Sequence, residues 1–362
     1  MNQLPVLVVG QGVAGSVLAW TLWQRGVPVR VVAAPQLPTA SGVAAGIVNP
    51  LTGRKLVKTW AADQLFPYLH PFYTATAQTL ATPFFTPLDL YRPYRDEAEQ
   101  ARYQTIAAQP DLARYLGEAA GPGACGAVVN DPLGGLRITQ SGWVDLPAFT
   151  QAMRTYFIDR QLFTEALVQP QDVQVRADSV AYAGQTYQRV IFCEGPHGPQ
   201  NPFFGFLPYS LVKGEILTAE VAHQSLQMIV NQGVFVMPIS PTRIRIGATY
   251  AWDNLDWQPT EAGRSFLETK ACALLRVPFR VVTQQAGLRP ATQDRRPFVG
   301  WHPAHPAVGI FGGMGTKGVS LAPYLAHQLA DAWLLGKEID PAVNISRFYS
   351  LWKSDLNGAV SR

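Results

Sequence analysis

The chain has 362 residues, which suits two domains better than one simple core. Its apolar fraction of 48% and charged fraction of 15% indicate a globular protein with a large interior. The net charge of +4 permits an anionic ligand. Since no run of lysine and arginine forms a basic stripe, nucleic acid is not the expected partner.

Cysteine and histidine usage indicates neither a disulfide framework nor a metal site. The cysteines are few and widely spaced, which fits a reducing compartment: Cys125, Cys193 and Cys272. His302 and His305 are close in sequence, but no cysteine or acid completes a site, so we expect no metal. The apolar stretch from Leu4 to Leu22 imitates a membrane span, but glycines interrupt it and no basic residue precedes it. We expect a cytoplasmic protein without a membrane span.

The first motif lies at the N-terminus. Val6 to Val9 form an apolar run typical of a buried parallel strand, and an apolar helix follows as far as Arg25. Between them Gly10, Gly12 and Gly15 have the spacing G-x-G-x-x-G. In a dinucleotide-binding unit these glycines make the turn, admit a pyrophosphate to the helix N-terminus and let the helix pack on the strand. The alternative is a glycine-rich turn in an unrelated α/β protein.

The second strand, Val29 to Val32, departs from the standard dinucleotide site. An acid that binds the adenosine ribose usually lies about 20 residues after the glycines. Here Ala33 stands at that position. The segment from Ser41 to Pro50 is dominated by small residues, which let a backbone approach a flat ring closely, although an ordinary loop is the alternative.

The middle of the chain is predicted to alternate between helices and strands. Asp63 to Leu80 is predicted as a helix broken by Pro67 and Pro71. Asp96 and Asp145 are predicted N-caps of helices that run to about residues 107 and 160. The other patterns predict a loop at 117–135, a helix at 261–275, and strands at 83–95, 173–175, 188–193, 209–219 and 234–250.

The last third contains a second glycine-rich loop. A buried strand at about residue 310 leads into the loop from Gly312 to Gly318, which opens a helix from about Val319 to Leu335. This is again the arrangement that presents backbone N–H groups to an anion.

In this order, the motifs resemble those of the D-amino-acid-oxidase-like family of FAD-dependent oxidoreductases, of the glycine oxidase and sarcosine oxidase type. The resemblance covers nearly the whole chain and rests on the N-terminal fingerprint, S-x-x-A-A-G-I from 41, K-G-E from 213, I-G-A-T from 246, G-L-R-P-x-T-x-D-x-x-P-x-x-G from 287 and the terminal glycine loop. It implies an α/β fold, in which a Rossmann-like FAD-binding domain carries an inserted antiparallel-sheet substrate domain. The FAD-binding domain would comprise 1–81, 142–199 and 285–362, and the substrate domain 82–141 and 200–284.

The resemblance also implies roles for individual residues. FAD contacts would come from Gly10, Gly12, Val13, Ala14, Gly15, Ala33, Ser41, Ala45, Gly46, Ile47, Ala166, Gly195, Gly313, Met314, Gly315, Thr316, Lys317 and Gly318. Arg289 matches the arginine that binds the substrate carboxylate in glycine oxidase, and an ion pair with Asp294 is the alternative. Lys317 would add positive charge beside the reduced flavin, and a solvated loop lysine is the alternative.

Several departures from glycine oxidase bear on the substrate and on the flavin link. Phe235 stands where that enzyme has a substrate-facing tyrosine, and Thr316 stands where it has a second substrate arginine. The substrate is therefore not expected to be simply glycine. No cysteine lies near the Arg289 or Lys317 motifs, so FAD is expected to bind noncovalently.

The resemblance implies oxidation of the C–N bond of a small amino acid or secondary amine to an imine, which hydrolyses in water. Arg289 and Lys317 are the candidate catalytic residues, and oxygen or a quinone would reoxidise the flavin. The oligomeric state stays open. The alternatives are a flavin oxidase acting on a methylamino-type modified nucleoside of tRNA, an NAD dehydrogenase and a non-catalytic nucleotide-binding protein.

Overall fold

The structure is a computed structural model that describes residues 3–222 and 226–352. Strands β1 to β21 of this part lie, in chain order, at Val6–Val9, Val29–Ala33, Ile47–Val48, Leu51–Thr52, Val57–Lys58, Phe85–Pro87, Leu90–Pro93, Gly135–Ile138, Gly142–Val144, Phe163–Glu165, Gln174–Val175, Val180–Tyr182, Gln185–Tyr187, Arg189–Phe192, Val212–Val221, Ile229–Asn231, Phe235–Ser240, Arg243–Gly247, Phe279–Arg289, Phe298–Trp301 and Val308–Gly312. Helices α1 to α8 lie at Val13–Gln24, Ala40–Val43, Ala62–Thr79, Glu97–Ala107, Pro110–Ala113, Leu146–Asp159, Glu261–Leu274 and Gly318–Leu335. Short 3-10 helices lie at Pro170–Asp172, Gly195–Gln200 and Ile345–Phe348.

The first large sheet has the strand order β10-β2-β1-β14-β21-β20. Its first five strands run parallel, and β20 is antiparallel to β21. Every residue of β1 is buried, because one face of the strand packs in the core that includes α1 and α8 and the other in a second apolar cluster. The predicted N-terminal strand and helix are therefore confirmed.

The second large sheet has the strand order β19-β15-β18-β17-β16-β7-β8. All neighbouring strands are antiparallel except β16 and β7, which run parallel. One face packs on α7 through apolar residues such as Leu217, Val236 and Ile246. The opposite face turns toward the parallel sheet. The predicted strand at 234–250 is a hairpin of β17 and β18.

The two sheets draw on different parts of the chain. The parallel sheet takes its strands from 1–81, 142–199 and 285–362, whereas the seven-stranded sheet takes its strands from 82–141 and 200–289. On this basis we propose the division into an FAD-binding and a substrate domain, with the whole of β19 in the latter. Residues 1–2, 223–225 and 353–362 of these ranges lie outside the described residues.

The prediction that prolines break the helix at 63–80 is wrong. α3 is continuous from Ala62 to Thr79 and contains both Pro67 and Pro71. Each proline removes one helical hydrogen bond, but α3 buries one side against α8, so tertiary packing compensates for the loss. The hairpin of β12 and β13 was not predicted, although its two-residue turn, Ala183 and Gly184, has the positive φ angles typical of such turns.

Candidate active site

A cavity of about 700 Å³ lies between the carboxyl ends of the parallel strands and the open face of the seven-stranded sheet. Open α/β sheets bind their ligands at this end. The structure brings nearly all predicted site residues together in its lining: Gly10, Gly12, Val13, Ala14, Ala33, Ser41, Ala45, Gly46, Ile47, Ala166, Gly195, Phe235, Arg289, Gly313, Met314, Gly315, Thr316, Lys317 and Gly318. Gly15 is the exception.

The three fingerprint glycines have different surroundings. A Cβ on Gly15 would overlap the carbonyl oxygen of Gly10 and lie 3.2 Å from Cβ of Cys193, so this glycine packs α1 on the strands. Gly10 has a φ of +98°, which makes the turn. Gly12 has an ordinary backbone conformation and leaves space toward the cavity, where Oγ of Ser41 is the nearest atom to an added Cβ at 3.1 Å. The fingerprint therefore fits a pyrophosphate approaching Gly12.

Ser41 lies beside the glycine fingerprint. Its hydroxyl oxygen accepts a hydrogen bond of 2.9 Å from the backbone N–H of Val13, in the first turn of α1. Gly46 follows with a φ of +71°, and a Cβ there would overlap the carbonyl oxygen of Val144. The small residues of this segment thus allow close backbone packing along the cavity wall.

The strand ends at Ala33 and Ala166 meet at one end of the cavity, where the N–H of Ala166 donates to the carbonyl of Ala33 over 3.1 Å. Arg154 of α6 lines the cavity too, and its Nε donates to Oε1 of Gln11, between the first two glycines, over 3.0 Å. Arg154 also forms an ion pair of 3.4 Å with Glu165. Sequence reasoning missed Arg154, because nothing local distinguishes it from other charged residues of a surface helix.

Arg289 lines the cavity from the end of β19. Its guanidinium lies against Gly214, where a Cβ would overlap it, and 4.2 Å from the ring centre of Tyr250. It donates hydrogen bonds to the carbonyls of Lys213 (3.3 Å) and Thr249 (3.1 Å). Burial lowers the pKa of Arg289. The K-G-E motif therefore needs its glycine as the platform for this side chain.

The predicted alternative for Arg289, an ion pair with Asp294, does not form. Asp294 pairs instead with Arg347 over 2.8 Å. Within residues 3–222 and 226–352, no carboxylate lies within ion-pairing distance of Arg289. Arginine carries more N–H groups than its two carbonyl contacts use, so donors remain for an anion in the cavity.

Lys317 lies at the N-terminus of α8 and is half-buried, not solvated. Its ammonium donates to the hydroxyls of Thr52 (3.3 Å) and Thr59 (3.0 Å). Burial lowers the pKa of Lys317 to about 8, with a further contribution from the charge of Arg296. The lysine therefore carries its positive charge at neutral pH and begins to lose it in mildly alkaline solution.

Glu194 is a site residue that sequence reasoning missed. It follows β14, lines the cavity and accepts a hydrogen bond of 2.7 Å from Nδ2 of Asn201. Burial raises its pKa from 4.5 to about 7, although the bond from Asn201 opposes the shift. An acid at the end of a buried strand, beside Gly195, was the available signal.

Replacement of Glu194 with glutamine is expected to stabilise the protein in a pH-dependent way. A carboxyl group whose pKa is higher in the folded than in the unfolded state favours folding below the lower pKa, and this contribution disappears as the pH rises through the higher one. The gain should therefore be on the order of 2–3 kcal/mol at pH 8 and near zero below pH 5. Denaturant unfolding at both pH values measures it.

The exposed Glu165 provides the matched control for this experiment, since its side chain is 53% exposed. Glu165→Gln should show no comparable gain at pH 8. An equal stabilisation by Glu194→Gln at pH 5 and pH 8 would contradict the assignment of a raised pKa.

In residues 3–222 and 226–352, no group of His, Cys, Asp or Glu side chains is arranged to hold a metal ion. None of the helices in the same ranges has the length and apolar character needed to cross a membrane.

Comparison with known proteins identifies the family of this sequence. The sequence model of the family described as FAD dependent oxidoreductase (DAO) matches residues 5–332. The tRNA 5-methylaminomethyl-2-thiouridine biosynthesis bifunctional protein MnmC of Idiomarina loihiensis is 23% identical over 349 residues, which cover 90% of this chain and 55% of that protein. Glycine oxidase of Pseudomonas aeruginosa is 31% identical over 141 residues, or 38% of each chain. The matches thus span about half or less of these relatives.

A solved structure shares the fold. The crystal structure of iminodiacetate oxidase from Chelativorans sp. superposes with a TM-score of 0.76 and 19% identity, covering 95% of this chain and 98% of that one. The family match extends over most of the chain, and both glycine loops and Arg289 line the one cavity described above. The protein therefore belongs to the DAO family of FAD-dependent oxidoreductases, and its cofactor is FAD.

Proposed function

We propose that the protein oxidises the C–N bond of an amino acid or secondary amine that carries a carboxylate. The observation that supports this most is Arg289, a guanidinium that lines the cavity and has no carboxylate partner among the described residues. Its two backbone contacts hold the planar group in one orientation. A carboxylate is the anion whose geometry matches the remaining N–H groups.

Bound FAD would supply the hydride acceptor, and the side chains of the protein would position the substrate. Arg289 holds the carboxylate, which fixes the α-carbon relative to the cofactor. Phe235 presents an apolar ring to the same cavity. Glu194 is the only carboxylate in the described lining, and its Cα lies 3.5 Å from the position of a Cβ on Gly10, at the fingerprint end. No carboxylate of the described lining is therefore placed to pair with a substrate ammonium at Arg289, which favours a neutral amine.

The terminal glycine loop is suited to stabilise negative charge. The N–H of Gly315 donates to the carbonyl of Pro290 over 2.9 Å, which links this loop to the residue after Arg289. The N-terminus of α8 and the charge of Lys317 then face the same cavity. We infer that they would favour negative charge on a cofactor bound beside them.

The names of the relatives support a carboxylate-bearing amine. Glycine and iminodiacetate, which appear in the names of two of them, are both amines with carboxylates. A second candidate is a modified nucleoside of tRNA with a methylaminomethyl group, because the MnmC match extends over 90% of this chain, whereas the glycine oxidase match covers 38%. Reduction of the flavin by such a nucleoside, but by no amino acid, would favour this second candidate.

The purified protein is expected to be yellow and to bind FAD noncovalently. Acid precipitation should release the flavin into the supernatant, because neither Arg289 nor Lys317 has a cysteine close in sequence. Anaerobic addition of amines then tests the proposed reaction by bleaching of the flavin absorption. Flavin that stays with the precipitate would contradict noncovalent binding. Failure of every carboxylate-bearing amine to bleach the flavin would contradict the proposed substrate class.

A further inference from the structure

The cavity is lined by more basic side chains than the proposed reaction requires. Its described lining contains one carboxylate, Glu194, and six lysine and arginine side chains: Arg54, Arg92, Arg95, Arg154, Arg289 and Lys317. The contacts described above place Arg154 at the fingerprint end and Lys317 in the terminal loop, and the proposed function assigns Arg289 to the substrate carboxylate. Three arginines are left without a role.

These three arginines are connected to one buried side chain, Tyr103, by the guanidinium of Arg92 and by the backbones of Arg54 and Arg95. The guanidinium of Arg92 lies over its ring at 5.4 Å, and the tyrosine hydroxyl donates to the carbonyl of Arg54 over 3.1 Å. The same hydroxyl lies 3.0 Å from Oε1 of Glu99, whose other oxygen accepts from the backbone N–H of Arg95 over 3.0 Å. Tyr103 and Glu99 thus connect the guanidinium of Arg92 with the backbones of Arg54 and Arg95, and all three residues line the cavity; we call them the cluster.

The cluster borders the part of the cavity that contains Phe235. Tyr91 on β7 packs in the core beneath α7, so the next residue, Arg92, points to the opposite, cavity-facing side of the sheet. β16 joins β7 to β17, the strand that begins with Phe235. Nη2 of Arg95 lies 3.4 Å from the position of a Cβ on Gly233, which also lines the cavity.

The charges of this cluster are not balanced by ion pairs. In residues 3–222 and 226–352, neither Arg54, Arg92 nor Arg95 has a carboxylate within ion-pairing distance, and Glu99 pairs with Arg102. Arg92 is only 5% exposed. A buried guanidinium without an anion is costly, and a contact with a tyrosine ring does not neutralise it. An anion from outside the chain would supply the missing partner.

We propose that Arg54, Arg92 and Arg95 form a second anion site, which binds a second carboxylate of the substrate while Arg289 binds the first. The substrate class is then an amine with two carboxylates. The inference rests on the proposed function, because that function assigns Arg289 to a substrate carboxylate. It also accounts for the apolar Phe235 between two cationic regions, since the middle of such a substrate carries no charge once the amine is neutral.

The test uses ligands that cannot be oxidised at a C–N bond because an ether oxygen replaces the amine. Methoxyacetate has one carboxylate, and oxydiacetate and (2-carboxyethoxy)acetate have two carboxylates at two spacings. Each is titrated into the oxidised holoenzyme, and binding is followed by flavin absorption and melting temperature. The better diacid should half-saturate the protein at a concentration roughly tenfold lower than methoxyacetate does.

Two variants and one control test whether the tighter binding of the diacid depends on the cluster. Arg92→Met and Arg95→Met should each reduce the affinity for the diacid toward that for methoxyacetate, and the partly exposed Arg95 serves if the variant of buried Arg92 does not fold. Arg102→Met is the matched control, because Arg102 also lies over the ring of Tyr103 at 5.4 Å but does not line the cavity. It should keep the preference for the diacid.

Two results would overturn the second anion site. One is that neither diacid binds wild-type protein more tightly than methoxyacetate, and the other is that the preference survives in every folded variant of Arg92 and Arg95. Anaerobic reduction by sarcosine and by iminodiacetate is measured separately. If the diacid ether binds preferentially but neither amine reduces the flavin, the second anion site is supported and the proposed reaction fails.

Discussion

Arg289→Lys is expected to raise the concentration of a carboxylate-bearing amine needed for half-maximal flavin reduction by about thirtyfold or more. Loss of a buried, hydrogen-bonded charge partner costs on the order of 2–5 kcal/mol. Lysine keeps the charge, but it cannot reproduce the planar group that lies on Gly214 and donates to the carbonyls of Lys213 and Thr249. Anaerobic titration of the holoenzyme, with the flavin content checked first, measures the effect.

Gly214→Ala provides an independent version of the same experiment. An added Cβ would overlap the Arg289 guanidinium, so the arginine is retained but displaced. The amine concentration needed for half-maximal flavin reduction should therefore rise in this variant too. Arg296→Lys is the control, because Arg296 lies 5.0 Å from the ring centre of Trp60 and does not line the cavity. Unchanged titrations with both Arg289→Lys and Gly214→Ala would show that Arg289 has a purely structural role.

Gly12→Val should fold but retain little or no FAD. The backbone of Gly12 has φ −78° and ψ −167°, which a valine can adopt, so the fold is expected to survive. The methyl groups would occupy the space toward the cavity and press on Oγ of Ser41, which lies 3.1 Å from an added Cβ. The pyrophosphate would lose its approach to the N-terminus of α1. The ratio of flavin to protein absorption, together with circular dichroism, measures both parts of this expectation.

Two other glycines distinguish cofactor loss from misfolding. Gly15→Val should fail to fold, because a Cβ there overlaps the carbonyl oxygen of Gly10. Gly205→Ala should behave like wild type, since its added Cβ would meet only the Asn201 carbonyl oxygen at 3.7 Å. A folded Gly12→Val protein with its full flavin complement would refute the assignment of Gly12 to the cofactor.

Local sequence signals predicted the elements that frame the cavity. The apolar run of β1, the glycine spacing and the small residues of α1 belong to one short segment, so their pattern could be recognised without any distant contact. The caps Asp96 and Asp145 were predicted for the same reason, and both side chains accept a backbone N–H in the first turn. Pro67 and Pro71 misled the prediction, because the packing of α3 on α8 depends on residues far away in sequence.

The cavity is lined both by residues that sequence motifs singled out and by residues that no motif singled out. Arg289 belongs to a recognisable motif, and its position in the cavity agrees with that prediction. Arg154 and Arg92 lie in segments whose local patterns are those of an ordinary helix or strand, and Glu194 was overlooked although it follows a buried strand. Their significance comes from what they share, which is a place in the lining of one cavity.

The sequence by itself indicated a dinucleotide cofactor and two glycine-rich turns suited to receive it, because glycines that make a tight turn or leave space for a phosphate act through their own backbone. Only the tertiary structure decided the charge of the cavity. Strands β7 and β19 lie apart in the seven-stranded sheet, yet Arg92 and Arg289 line the same cavity, and Asp294 is taken by Arg347. The partner of a charged side chain depends on distances in space, and a linear pattern of residues does not contain those distances.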